Sequence, residues 1–236
     1  MPTLGTPRRK ATDHMTESIA IIGGTGPEGR GLASRFALAG LRVVIGSRDP
    51  ERGASVSAEV AATLAGREGA VAVEGASNAD AAAGCDIAVV TVPFEGHRAT
   101  LEALAGQLAG KIVVDAVVPV RFERGPRPVE VAEGSATEQA AAMLRESRVV
   151  GAFHNLAAES LLDLDAPVHA DVLVTGSDAA AKQAVFALAG QIEGVRAVDA
   201  GPLRYSRFVE GLTVLLIGVN MRHRARTHVR IEGLPA

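Results

Sequence analysis

The stretch "IAIIGGTGPEGRGLA", residues 19–33, runs from four apolar residues straight into five glycines, Gly23, Gly24, Gly26, Gly29 and Gly31, within nine positions. The apolar run predicts a buried strand and the following segment a helix, with Pro27 suited to a first helical turn because its missing N–H is not needed there. Side chains removed this densely between a strand and a helix mean that something must approach the backbone closely.

The same alternation recurs along the chain. Apolar, largely β-branched runs at residues 19–23, 42–46, 71–74, 87–92 and 112–115 predict strands, and residues 28–39, 51–64, 79–83 and 100–108 predict helices. Runs apolar at every position belong to strands buried on both faces, as in parallel sheets covered by helices. The fold class expected is therefore α/β, a Rossmann-type doubly wound parallel sheet. Beyond Ala152, a strand at 172–175, a helix at 179–191, a strand at 197–200 and a long apolar helix at 206–221 predict a small C-terminal α/β domain. The expected organisation is a leader at 1–17, a Rossmann domain at 18–150 and the small domain at 151–236. The leader mixes Pro, Gly and Arg without apolar period, so it is expected to be disordered, and Met15 is an alternative start.

Within this frame the glycines read as Gly24-x-Gly26-x-x-Gly29 between a strand and a helix, the context in which such spacing binds a dinucleotide. The first glycine makes the turn, the second admits the pyrophosphate to backbone N–H groups, and the third lets helix and strand pack. The helix start then offers free N–H groups and a positive dipole end to the phosphates. At the end of the second strand an NAD site usually carries an acid for the ribose 2′-OH. "VVIGSRDPERG" instead supplies Ser47, Arg48 and, one helical turn on, Arg52, donors suited to the 2′-phosphate of NADP. Asp49 is the one residue that could take the acid's role, but its place before Pro50 suits a helix cap.

Ligands in this fold sit at the carboxyl ends of the strands. There "VVTVPFEGH" brings Thr91, Val92, Pro93 and Phe94 to the nicotinamide ribose, and "DAVVPV" adds Ala116, Val117, Val118 and Pro119 as an apolar wall for a flat ring. Asp115 is expected as a turn or helix cap, with a catalytic acid as its alternative, and His97 as a solvated residue at a helix start, with ligand contact as its alternative. A formal net charge of −3 and a pI near 6.1 give no general attraction to nucleic acid or anionic membranes. Cys85 is the only cysteine, which excludes an internal disulfide and suits a cytoplasmic location. The longest strongly apolar run, residues 214–219, is far short of the ~20 residues of a membrane span. The partner expected is a small molecule.

Six ordered blocks, "IAIIGGTGPEGRGLA", "GSRDPERG", "VTVPFEGH", "KIVVDAVVPV", "GAFHNLAAE" and "VDAGPLRYSRFVEGLT", resemble the F420-dependent NADP oxidoreductases across about residues 18–234. That resemblance implies hydride exchange between NADP and the 5-deazaflavin coenzyme F420, with a small C-terminal domain closing the cleft. It matches Thr25, Gly26, Pro27 and Glu28, between the Gly24 and Gly29 of the glycine pattern, to the pyrophosphate turn and Ser47, Arg48 and Arg52 to the 2′-phosphate. The strand-end residues, with Ala158, match the remaining NADP contacts. His154, Asn155 and Leu156, in the segment between the expected domains, are further candidate cofactor contacts. Two departures stand out. Pro27-Glu28 replaces the Asn-Leu of archaeal members, so Glu28 is expected to point outward at the helix terminus. The tail "RHRARTHVRIEGLPA" is more basic than theirs.

Hydride transfer between two heterocycles needs no nucleophile or metal, because the cofactors carry the chemistry and the protein stacks them. The sequence agrees: no Ser/His/Asp set appears, none of the three lysines suits a proton donor, and the six histidines are dispersed. His154, after the apolar strand "VVGAF" at the expected mouth between domains, is the residue singled out to orient the deazaflavin's pyrimidine edge. Its alternative is a structural histidine holding the backbone. Other functions left open are an NADP-dependent reductase of a small carbonyl or imine, and a non-catalytic NADP sensor. The helix at 206–221 is apolar well around its cylinder, with Gly211 and Gly218 on one side, and predicts a homodimer seam.

Overall fold

A computed structural model describes residues 18–234, so the expected leader lies outside the described residues. The chain runs β1 (Ser18–Ile22), α1 (Pro27–Leu38), β2 (Arg42–Ser47), α2 (Pro50–Leu64), β3 (Val73–Ser77), α3 (Asn78–Ala83), β4 (Ile87–Val90), α4 (Phe94–Leu108) and β5 (Ile112–Asp115). It continues with a hairpin of β6 (Val120–Phe122) and β7 (Pro126–Pro128), then α5 (Ala136–Met143), β8 (Arg148–Gly151) and α6 (Ala158–Leu162). The remainder is β9 (Ala170–Gly176), α7 (Ala179–Ala189), β10 (Val195–Gly201), a single 3-10 turn at Leu203–Tyr205 and α8 (Ser206–His223).

Eight strands form one sheet in the order β10-β9-β8-β5-β4-β1-β2-β3. The pairs from β3 to β8 are parallel, with Ile19 opposite both Val43 and Ile87. β9 pairs antiparallel with β8 and parallel with β10. The strands are buried on both faces because their alternate residues serve two separate cores. Ile19, Ile21, Ile87, Val89 and Val114 enter one, packed with α1, α2, α6 and α7 residues such as Leu32, Phe36, Val60, Leu161 and Val185. Ala20, Ile22, Ala88, Val90 and Val113 enter the other, with Leu101, Leu104 and Ala140 of α4 and α5. This is the three-layer α/β fold that the continuous apolar runs predict. The expected division near Gly151 falls at the end of β8, inside the continuous sheet.

Several elements differ from the sequence reading. β3 sits two residues later, and Val71 is exposed. A glycine at 75 is used within that strand because α2 crosses it at Gly53: a Cβ on Gly75 would collide with the Gly53 backbone. Helix α4 begins at Phe94, six residues before the expected start, with Pro93 at its N-cap. The hairpin and α5 were not foreseen. In α8, Val209, Glu210, Thr213 and Val214 are buried, so the valines form the inner seam, while Phe208 and Leu215 are exposed.

Candidate cofactor-binding site

The glycine turn lies where the strand order reverses, between β1 and its neighbours β2 and β4, the crevice at which open α/β sheets receive ligands. Its three glycines have three different surroundings. A Cβ on Gly24 would lie 2.8 Å from Ile21 O, and one on Gly29 would lie 2.5 Å from Gly24 Cα, so both are needed for the chain to turn and for α1 to close on it. Around Gly26 there is nothing within 4 Å. Gly26 is also the N-cap of α1 and provides no side-chain cap, leaving the first N–H groups of the helix open to an anion. Gly24 N donates to Gly46 O at 3.0 Å, and Gly23 N to Asn78 Oδ1 at 3.0 Å, which tie the turn to the end of β2 and the start of α3. Asn78 was missed in the sequence, although "SNAD" at residues 77–80 carries a capping pattern: Ser77 Oγ accepts from Asp80 N.

At the end of β2, Ser47 is buried, whereas Arg48 and Arg52 are exposed and have no carboxylate partner among the described residues. Asp49 caps α2, accepting from Glu51 N at 3.0 Å and Arg52 N at 3.4 Å, and its own N–H donates to Ser47 Oγ. Its carboxylate is thereby engaged with the helix. Glu28 does not point outward as expected. Its Oε1 is buried without a hydrogen-bond partner, and burial pushes the carboxyl up to about 8. The position sits one and two turns before Gly31, which packs on Leu161, and Arg35, whose guanidinium donates to Ser160, Leu161, Asp163 and Ala166 carbonyls. Glu28 thus shares a stripe of α1 with residues that pack on α6.

After β4, Thr91 N and Oγ1 both donate to Ile22 O, Val92 is buried, Pro93 is exposed and Phe94 is half-buried. After β5, Val117 and Pro119 are buried and Val118 is half-buried. His97, expected in solvent, has no exposed surface: its Nε2 is 2.6 Å from Asp115 Oδ2 and its Nδ1 is 3.1 Å from Gln139 Oε1. The early start of α4 turns this position inward. Asp115 also makes the turn expected of it, with Oδ1 accepting from Val117 N at 2.9 Å.

His154 lies beneath the surface, only 2% exposed. Its Nε2 is 3.4 Å from Thr137 Oγ1 and 3.9 Å from Glu210 Oε1, and its Nδ1 is buried without a partner. Burial pushes its pKa down to about 4, so the ring is neutral. Phe153 before it adopts a φ of 67°, a costly conformation for a bulky residue that turns the chain towards His154. Asn155 and Leu156 are also buried, with Asn155 Nδ2 donating to Asp171 O, while Ala158 is half-buried at the start of α6. Glu210, unremarked in the sequence, accepts from Ala136 N, Thr137 N and Thr137 Oγ1 at the start of α5, and burial pushes it up to about 7. Its signal was faint: one acid in the apolar run of α8.

This turn at the switch point, with an open N-cap and strand-end walls, defines a Rossmann-type dinucleotide-binding protein. The family model described as NADP oxidoreductase, coenzyme F420-dependent, matches residues 18–119. The F420-dependent NADP reductase of Methanothermobacter thermautotrophicus is 44% identical over 227 residues, 94% of this chain and 97% of the relative. That of Methanocaldococcus jannaschii is 40% identical over 220 residues, 92% of this chain and 98% of the relative. A crystal structure from Arthrobacter sp. FB24 superposes with a TM-score of 0.77 at 30% identity, covering 91% of this chain and 99% of that one. The chain belongs to the coenzyme F420-dependent NADP oxidoreductase family.

Proposed function

We propose that this chain is an oxidoreductase that moves a hydride reversibly between NADP(H) and the deazaflavin coenzyme F420. The observation that carries the reading is near-full-length similarity to relatives named F420-dependent NADP reductase, on a fold whose switch point holds the glycine turn. The open space at Gly26 suits the pyrophosphate. The exposed guanidiniums of Arg48 and Arg52, beside the Ser47 hydroxyl, suit a 2′-phosphate. Thr91 to Phe94 and Ala116 to Pro119 suit the nicotinamide and its ribose, and the segment from His154 to Ala158 suits the approach of the second ring. When bound, the two cofactors supply the hydride donor and acceptor; the protein binds them, stacks them and keeps water out.

The reading extends to two domains meeting near Gly151, a cytoplasmic location and a homodimer. No helix among the described residues is long and apolar enough to cross a membrane. The dimer reading rests on α8, where Phe208 and Leu215 are 67% and 63% exposed and Gly211 between them has nothing within 4 Å of its Cβ position. Gly218 is covered by Pro126 of the hairpin, so the seam lies nearer the start of the helix than the sequence suggested.

The test mixes the protein, NADPH and F420 without oxygen and follows the visible absorbance of the deazaflavin. Its loss with NADPH, and its return when NADP is added to reduced F420, are expected. Reduction of a small imine or carbonyl with no effect on F420 would favour a different reductase, and no turnover with tight NADP binding would favour a sensor.

A further inference from the structure

Between α4, β5 and α5 lies a chain of polar groups, exposed at Arg98 and buried at Gln139, His97 and Asp115, that no cofactor contact explains. Gln139 Nε2 donates to Glu133 Oε2 at 3.1 Å, and Arg98 holds the other oxygen of that carboxylate at 2.7 Å. This fixes the Gln139 amide with its Oε1 towards His97, so the His97 nitrogen 3.1 Å away, Nδ1, must be the donor. At the opposite side of the ring, Nε2 meets Asp115 Oδ2 at 2.6 Å. A contact this short needs one proton between Nε2 and Oδ2, and imidazole, with a reference pKa of about 6.5 against about 3.9 for an Asp carboxyl, is the stronger base and takes it, so Nε2 is a donor as well. A ring that donates from both nitrogens is an imidazolium. His97 and Asp115 thus form an ion pair with no exposed surface.

The pair touches both strand-end walls. Asp115 holds Val117 N, at the turn leading to Val118 and Pro119. His97 stacks on Phe94, ring centroids 6.2 Å apart at 27°. We propose that His97 is a positioning residue for hydride transfer, whose charged ring joins Phe94 on one wall to Asp115 and Val117 on the other so that both present a fixed surface to the nicotinamide. The proposal rests on the reading of those walls as the nicotinamide site. Burial pushes the His97 pKa down, but the charge and hydrogen bond of Asp115 from β5, the Gln139 carbonyl from α5 and the more distant charge of Glu210 on α8 favour the protonated form and outweigh it, leaving the pKa above its usual value.

Three variants test it: His97→Gln, Asp115→Asn and the double variant, the last removing the pair without leaving one buried charge alone. Three readouts accompany them. In wild-type protein, 15N NMR of His97 is expected to show both ring nitrogens protonated at pH 7.5; a neutral ring overturns the proposal. In the variants, single-turnover hydride transfer to F420 should fall roughly 10- to 100-fold through misplacement of the nicotinamide. NADP affinity should weaken, while affinity for 2′,5′-ADP, which carries the 2′-phosphate and adenosine without the nicotinamide, should stay unchanged. Equal loss for both nucleotides would mean a general structural role and overturn it, as would unchanged transfer in a variant with the wild-type circular dichroism spectrum. Because the NMR and nucleotide affinities do not use F420, failure of wild-type protein to reduce F420 would strike the proposed function and leave the His97 readouts decisive.

Discussion

A Cβ placed on Gly29 would fall 2.5 Å from the Cα of Gly24. The first turn of α1 and the end of β1 are in backbone contact at that point, whereas Gly26 between them looks onto open space. Gly29→Ala should therefore disturb the fold itself, costing about 1–3 kcal/mol as overpacking does. Gly26→Ala should leave the melting temperature unchanged and weaken NADP binding. Thermal melts and nucleotide titrations of the two variants measure this division; an equal drop in melting temperature would contradict it.

Arg48 has no ion-pair partner among the described residues to lose, so its truncation reports on ligand alone. Arg48→Ala should weaken NADP binding by about 1.5–3 kcal/mol, the worth of a hydrogen bond to a charged group, and leave NAD binding nearly unchanged. Isothermal titration with both nucleotides checks it, and equal losses would remove Arg48 from the 2′-phosphate.

Glu28 makes stability depend on pH in a defined direction. Its folded pKa, about 8, is raised above the unfolded 4.5 by burial, so the stability it contributes is fully present below pH 4.5 and is lost as pH rises towards 8. Relative to Glu28→Gln, which keeps the neutral shape, wild-type protein should lose about 1.4 kcal/mol per pH unit across that window. Denaturant unfolding of both proteins from pH 5 to 8 measures the difference, and parallel curves would place the carboxylate in water.

His97→Ala leaves the Asp115 carboxylate buried without its counter-ion. Such removals cost about 3–5 kcal/mol, whereas the neutral double variant His97→Gln/Asp115→Asn should lose much less. Urea unfolding of the three proteins tests the order. A single variant as stable as the double would mean that the pair is not ionised.

The exposed apolar stripe of α8 predicts association. Leu215→Arg should shift a homodimer to monomer in sedimentation velocity, and Gly211→Leu should weaken it, since the open space there is what a partner helix would use. A monomeric wild-type protein at micromolar concentration contradicts the seam.

The parallel sheet was legible because strands such as Ile19 to Ile22 are apolar at every position, a signal carried by the residues themselves. The glycine turn was legible for the same reason, since spacing and flanking elements are local. The hairpin was not, because its strands are only three residues each, Val-Arg-Phe and Pro-Arg-Pro, too short to show an alternating pattern. Helix α5 is short and Ala-rich, although Ser135 and Glu138 form the capping pair that could have marked its start. Burial of His97 depends on partners 18 and 42 positions away, and the packing of α1 at Gly31 on Leu161 of α6, more than a hundred residues on. No local pattern encodes such meetings.

One protein passes a hydride directly between NADP(H) and F420. The most direct measurement of that transfer is stereospecific: NADPH deuterated at C4 on each face in turn is mixed with protein and F420 without oxygen, and the reduced deazaflavin is analysed by mass spectrometry. Deuterium should reach F420 from one face only, since both rings are held in a single stacked geometry. No transfer from either face, with NADPH demonstrably bound, would contradict it.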